Sequence, residues 1–250
     1  MILSRLDDLV QLYALLDRLE QRLDGKHSFV DRNRLISWPQ RGVYFFFEPG
    51  EERSDSGNGL RVVRVGTHAL TEGSRSTLRN RLSQHRGVLR TGGGNHRGSI
   101  FRLLVGTALQ SHLQAGGIGS WGCKPDAAQA AHILGQTPGE LRAREHELEV
   151  AVSRYIEAMP FLWVAVPDLP GPNSWRGYIE RNCIALLSNW EKRPLDSPSS
   201  GWLGHRCDRE RVRRSGLWNS DHVNERYDPA FLITLEECIA AMGDPARPVA

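Results

Sequence analysis

The sequence predicts an α/β chain of the α+β kind: a small, mainly antiparallel three-stranded sheet flanked by helices, with a helical insertion and helical additions at both ends. Three observations predict it. Two short apolar runs, "GVYFFFE" and "LRVVRVG", flank the turn-rich stretch "EPGEERSDSGNG". A third apolar run, "FLWVAVPD", comes much later. Between and around them lie stretches with helical rather than alternating periodicity, so the helices are not dealt out one per strand.

Taken in order, residues 3–24 repeat Leu6, Leu9, Val10, Tyr13 and Leu16 at helical spacing and stop at Gly25, which predicts an amphipathic helix. "GVYFFFE" is a β-rich run bounded by glycine and by Pro49-Gly50. With "LRVVRVG" it predicts an antiparallel hairpin over 42–66 with a long loop. A short polar helix follows, from a capping region at Ser74–Thr77 to a stop at Gly87. "TGGGNHRGS" is a glycine-rich loop, and "IFRLLVGTALQSHL" reads as strand, helix or both. Residues 140–159 predict a helix and 161–168 a buried strand. In "SWRGYIERNCIALLSNW", Trp175, Ile179, Cys183, Leu186 and Trp190 trace one helical stripe. The tail offers a polar linker, "SGLWNSDHVNERYDP", and a last helix, "AFLITLEECIAAM". The division this predicts is an N-terminal helix (1–30), a core (31–195) with an insertion at about 88–158, and an arginine-rich extension (196–250) packed on the core.

Among 250 residues, 24% are charged and 40% hydrophobic, enough for a real core. No apolar run approaches the roughly 18–20 residues that cross a bilayer. The start carries acids throughout and no small-residue cleavage site, so it reads as a helix and not a signal peptide, and a cytoplasmic location is expected. Cys123, Cys183, Cys207 and Cys238 are far apart and form no C-x-x-C pair, which argues against a disulfide framework. Only His205 beside Cys207 invites a metal, and weakly.

Lysine occurs only at 26, 124 and 192, so 29 of the 32 basic residues are arginines. Arginine's planar fork of donors suits phosphate oxygens, although a GC-rich genome yields the same bias. Residues 81–102 contain no acid, and "HRCDRERVRR" (205–214) sets five arginines against Asp208 and Glu210. Such stripes are either solvated faces or the footprint of a polyanion. As the second, they nominate Arg86, Arg90, Arg97, Arg209, Arg213 and Arg214 as contacts to DNA.

One ordered constellation is more specific. Gly42-Val43-Tyr44 opens the first run, Arg64-Val65-Gly66 closes the second, Asn80-Arg81-Leu82 with His85 lies on the polar helix, and Glu180 lies on a helix after the third run. In this order the chain resembles the GIY-YIG nuclease superfamily over roughly residues 40–190. Arg81 followed one turn later by His85 is similar to the GIY-YIG type II restriction enzymes. The resemblance implies a phosphodiesterase acting on double-stranded DNA, with Mg²⁺ (or Mn²⁺) held by Glu180. It implies that Tyr44 relays a proton, that Arg81 contacts the scissile phosphate, and that His85 assists proton transfer or positions the nucleophile. The chemistry suits these types: hydrolysis needs an activated nucleophile, and its transition state needs charge stabilisation. Taken singly, each has a plainer explanation, as a packed strand tyrosine, an exposed helix face or a surface glutamate.

The chain also departs from the family. Arg64 stands where the second strand carries a tyrosine; it could bind phosphate or act on Tyr44 as a nearby cation. Thr67 replaces a lysine for which His68 could stand in as a contact to DNA. An asparagine is expected some way after the glutamate; Asn189 is too close within the same helix, and Asn219 is the substitute. Two rival expectations follow: a nuclease fold that has lost catalysis and serves as a DNA-binding or adaptor module, and a helical interaction module on residues 3–24 and 230–242. Palindromic cutting would favour a homodimer.

Overall fold

The protein is described here from a computed structural model, which covers residues 4–30, 38–112, 118–123 and 126–243. Helix α1 (Arg5–Arg22) starts at a reciprocal cap, in which the Ser4 side chain accepts from the Asp7 amide and the Asp7 carboxylate accepts from Ser4. Its buried face is Leu9, Leu12, Tyr13, Leu16 and Leu19. Leu6 and Val10 of the expected stripe are exposed, because the packed stripe continues through Leu12 and Leu19 instead.

Strands β1 (Gly42–Glu52) and β2 (Leu60–Gly66) form the hairpin, and β3 (Phe161–Ala165) pairs on the other side of β1, all antiparallel, in the order β2-β1-β3. β1 runs on through Pro49 and Gly50, past the expected boundary, with irregular register after Phe46. The extension is held by a buried pair: Arg61 donates from Nε and Nη2 to Glu51 Oε2 at 2.9 and 2.6 Å. β2 would be an open edge, but Trp218 N donates to the Val63 carbonyl at 2.7 Å. The segment expected as a polar linker is therefore packed structure, with Leu217, Trp218 and Val223 buried.

Alternation along β1 feeds two cores. Val43, Phe45 and Phe47 face α1, α6 (Trp175–Leu187) and α8 (Phe231–Ala241). Tyr44 and Phe46 face α2 (Leu78–Arg86), α3 (Ile100–His112) and α5 (Pro138–Glu157). The ambiguous run after the glycine loop is thus a helix, α3, buried through Phe101, Leu104, Val105 and Ala108. Short helices α4 (Ala127–Ile133) and α7 (Glu210–Ser215) complete the set among the described residues. Helix α6 buries Ile179, Cys183 and Leu186 as expected, but Trp175 is exposed and the helix stops before Asn189 and Trp190.

Candidate functional site

Helix α2 places the first two side chains. Thr77 Oγ1 caps it by accepting from Asn80 N at 3.1 Å, and Gly87 ends it at φ +94°, a conformation that favours glycine. Arg81 and His85, four apart, share a face that turns toward the sheet. There Tyr44 Oη meets His85 Nε2 at 2.7 Å, both side chains fully buried. Gly66, directly across from Tyr44 in the hairpin, makes room for the ring: a Cβ there would stand 2.2 Å from the Tyr44 hydroxyl.

His85 is fixed from behind. Its Nδ1 lies 2.8 Å from Ser99 Oγ, at the head of α3. Arg102, fully buried, donates from Nη1 to the His85 carbonyl at 2.8 Å and from Nε to Glu149 Oε2 at 3.0 Å. Glu149 also accepts from the His96 amide (2.6 Å) and lies 2.9 Å from His96 Nδ1. Burial works to raise the Glu149 carboxyl, but the hydrogen bonds from His96 and the charge of Arg102 hold it below the usual range. The inserted segment therefore braces the Tyr44–His85 pair. Burial, reinforced by the charges of Arg81, Arg64 and Arg102, pushes the His85 imidazole well below its usual value, so it is neutral at physiological pH.

Arg64 is buried on the same side, its guanidinium 4.8 Å from the Phe101 ring centroid and donating to the Trp218 carbonyl. Tyr44, Arg81 and Glu180 all act on its charge. Arg81 donates from Nη1 to Gln84 Oε1 (3.1 Å) and to the Gly98 carbonyl (3.2 Å). The Nε of Arg64 and the Nε of Arg81 have no partner among the described residues. Two orphaned guanidinium donors beside a phenol and an imidazole suit an anion.

Glu180 arrives from the other side. Helix α6 packs on the opposite face of the sheet from α2, yet Glu180 stands where β2 runs out, and its Oε1 accepts from the Thr67 amide at 3.0 Å. Thr67 follows Gly66, so Glu180 reaches the end of the strand whose Gly66 lies across from Tyr44. Burial pushes the Glu180 carboxyl up, and Arg64, His222, the Thr67 amide and Arg81 oppose it. Glu180 Oε2 accepts no hydrogen bond among the described residues, and a cleft of about 350 Å³ opens beside it. No group of three metal-ligating side chains exists among the described residues. A single free carboxylate oxygen on an open cleft fits a hard, water-keeping cation such as Mg²⁺, which takes few protein ligands.

The remaining candidates divide. Asn219 lies along the edge of β2, its amide accepting from Val65 N (3.2 Å) and donating to the Val65 carbonyl (2.9 Å), so it is spent on strand pairing. His68 is buried: burial, with Arg176, Arg81 and Arg41 adding and its bond to the Gln40 carbonyl opposing, lowers it to about 4, so its ring is neutral near neutral pH. The buried guanidinium of Arg97 is clamped by Glu145 at 2.6 and 2.9 Å. Arg213 is exposed but gives Nη1 to the Cys207 carbonyl, and Arg214 lies 4.2 Å over the Trp190 ring and 3.1 Å from Glu210. Arg86 is half-buried with an unpartnered Nε, while Arg90 and Arg209 are exposed. His205 lies 2.9 Å from the Ser199 carbonyl and belongs to no group of three metal-ligating side chains among the described residues.

A family model described as GIY-YIG domain matches residues 3–245. The chain belongs to the GIY-YIG family. Neither the curated proteins nor the solved structures include a match to it. GIY-YIG proteins are generally nucleases, so the chain is of nuclease type, and among the described residues no helix is long and apolar enough to cross a membrane. What sequence reading missed within this GIY-YIG chain is the support: Ser99, Arg102 and Glu149. Only Ser99 carries a local cue, as a serine just before an apolar helical run; the Arg102–Glu149 pair joins residues 47 apart.

Proposed function

We propose that this chain hydrolyses phosphodiester bonds in double-stranded DNA as a Mg²⁺-dependent (or Mn²⁺-dependent) endonuclease acting in the cytoplasm, with two copies pairing if its cut is palindromic. The observation that carries this reading is the 2.7 Å contact between the Tyr44 hydroxyl and a neutral His85, set beside the unpartnered donors of Arg64 and Arg81. A phosphate enters against Arg81 and Arg64, whose forks fix its oxygens and offset the charge gathering on them. Burial first, and then those same cations, hold His85 low, so a bound phosphate that screens them makes the imidazole a better base. An attacking water passes its proton to the Tyr44 oxygen as the Tyr44 proton moves to His85 Nε2. The water oxygen bonds to phosphorus, the bond to the leaving oxygen breaks, and solvent reprotonates that oxygen. Ser99 and Arg102 hold the imidazole in place throughout. Glu180 would hold the metal, which when bound supplies electrostatic stabilisation of the departing charge.

The test is nicking of supercoiled plasmid with and without Mg²⁺ by the wild type, Glu180→Gln and Arg81→Ala. Metal-dependent cutting by the wild type alone supports the reading; equal cutting by both variants overturns it. A second reading rests on Arg64 in the position of a family tyrosine: a DNA-binding module without catalysis. It predicts salt-sensitive DNA binding and no cutting with any divalent metal.

A further inference from the structure

The exposed apolar side chains near Glu180 are gathered, not scattered. Trp175, at the first position of α6, is 54% exposed, and Leu70, in the loop after β2, is 37% exposed. Leu70 packs onto Gly177, where a Cβ would sit 3.4 Å from its methyl. The Trp175 and Tyr178 rings meet at 76°, with centroids 5.8 Å apart, and this contact leaves much of the indole in solvent. These three line the same cleft as Glu180, Arg181 and His222. A cluster of exposed apolar side chains costs free energy in water unless something covers it in use.

The composition of the cleft says what that is. An apolar protein side chain could cover the indole, but it would bring nothing to the exposed Arg181 guanidinium or to the free Glu180 oxygen. A nucleotide brings all of it at once: a flat base for Trp175 and Leu70, a phosphate for Arg181, and the scissile group itself next to Glu180. We propose that Trp175 and Leu70 form a platform for one nucleobase unstacked beside the scissile phosphate, so that the favoured substrate is DNA with an unpaired nucleotide at that position. This rests on the DNA-nuclease reading above. Trp175 acts here by positioning the strand and takes no part in proton transfer.

The experiment measures binding in EDTA, where no cutting intervenes, to two short duplexes that differ only in one bulged 2-aminopurine. The wild type binds the bulged duplex more tightly and quenches its fluorescence. Trp175→Ala lowers that affinity by about fivefold or more, as loss of one base–aromatic stack requires, and changes affinity for the fully paired duplex by less than about twofold. Trp175→Phe keeps most of the preference, which separates stacking from a folding defect. Equal wild-type affinity for the two duplexes overturns the platform, as does a preference that survives in Trp175→Ala, which would assign the indole to a protein partner. Failure of the wild type to bind either duplex at low salt overturns the DNA reading itself, and this inference with it.

Discussion

The Tyr44 hydroxyl and His85 Nε2 are hydrogen-bonded at 2.7 Å inside the protein, although one residue belongs to a strand and the other to a helix 41 positions later. The contact decides how the site can work. A buried phenol bonded to a buried, neutral imidazole has that ring nitrogen as the outlet for its proton, and Ser99 holds the imidazole from the other side. Removing only the hydroxyl tests this. Tyr44→Phe keeps the ring that packs on Gly66 and Phe46 and lowers the cutting rate by about 100-fold or more, the usual worth of positioned proton transfer. Its thermal unfolding temperature stays close to that of the wild type.

Gly66 is the second test, because its role is spatial. A methyl at this position would fall 2.2 Å from the Tyr44 oxygen and 2.3 Å from its ring, so Gly66→Ala forces the phenol away from His85. The expected result is a loss of about 1–3 kcal/mol in urea unfolding, together with loss of cutting. Wild-type stability and rate in this variant would show that the ring has slack.

Glu149 holds Arg102 and His96 from within the insertion. Glu149→Ala leaves the Arg102 charge buried without a partner, which costs about 3–5 kcal/mol, and it unseats the Arg102 bond to the His85 carbonyl. Denaturant titration reads the first effect. The second appears as slower cutting at a temperature where the variant is still folded.

Acid separates the histidines from the carboxylates. His68 is lowered to about 4 in the folded protein, whereas a free imidazole sits near 6.5. Between those values the unfolded chain binds the extra proton. His68 thus contributes stability that is fully present above about pH 6.5 and is lost as pH falls toward 4, by up to about 1.4 kcal/mol per unit. His85, also lowered, acts in the same sense. Glu48 and Glu180, both raised by burial, act in the opposite sense as pH falls through their folded values. Comparing the wild type with His68→Gln by urea unfolding at pH 7 and pH 4.5 cancels the shared groups. The wild type should lose more stability on acidification, and equal losses would contradict the account.

The sequence made legible what is local or ordered along the chain. The three apolar runs are the three strands, and the Thr77 and Gly87 signals bound α2 to within a residue. Gly42, Tyr44, Gly66, Arg81, His85 and Glu180 were readable as a constellation because their spacing follows a family pattern. The misses share a cause, which is contact between distant segments. The segment around Trp218 looked like a polar linker because nothing local shows that β2 needs an edge partner. Arg97 looked like a free cation because Glu145 lies 48 residues away. His68 looked like a substitute cation because its burial depends on α6 and the loop before β1. The apolar run at 100–112 was ambiguous because a helix buried on most sides shows little polar face.

The most direct measurement is the rate of plasmid nicking in Mg²⁺ by the wild type, Tyr44→Phe, His85→Ala and the double variant. If phenol and imidazole work as one relay, each single change costs about 100-fold or more, and the double variant is no slower than the worse single one. A wild type that leaves plasmid intact in Mg²⁺ and in Mn²⁺, or a Tyr44→Phe protein that cuts at the wild-type rate, would contradict the account.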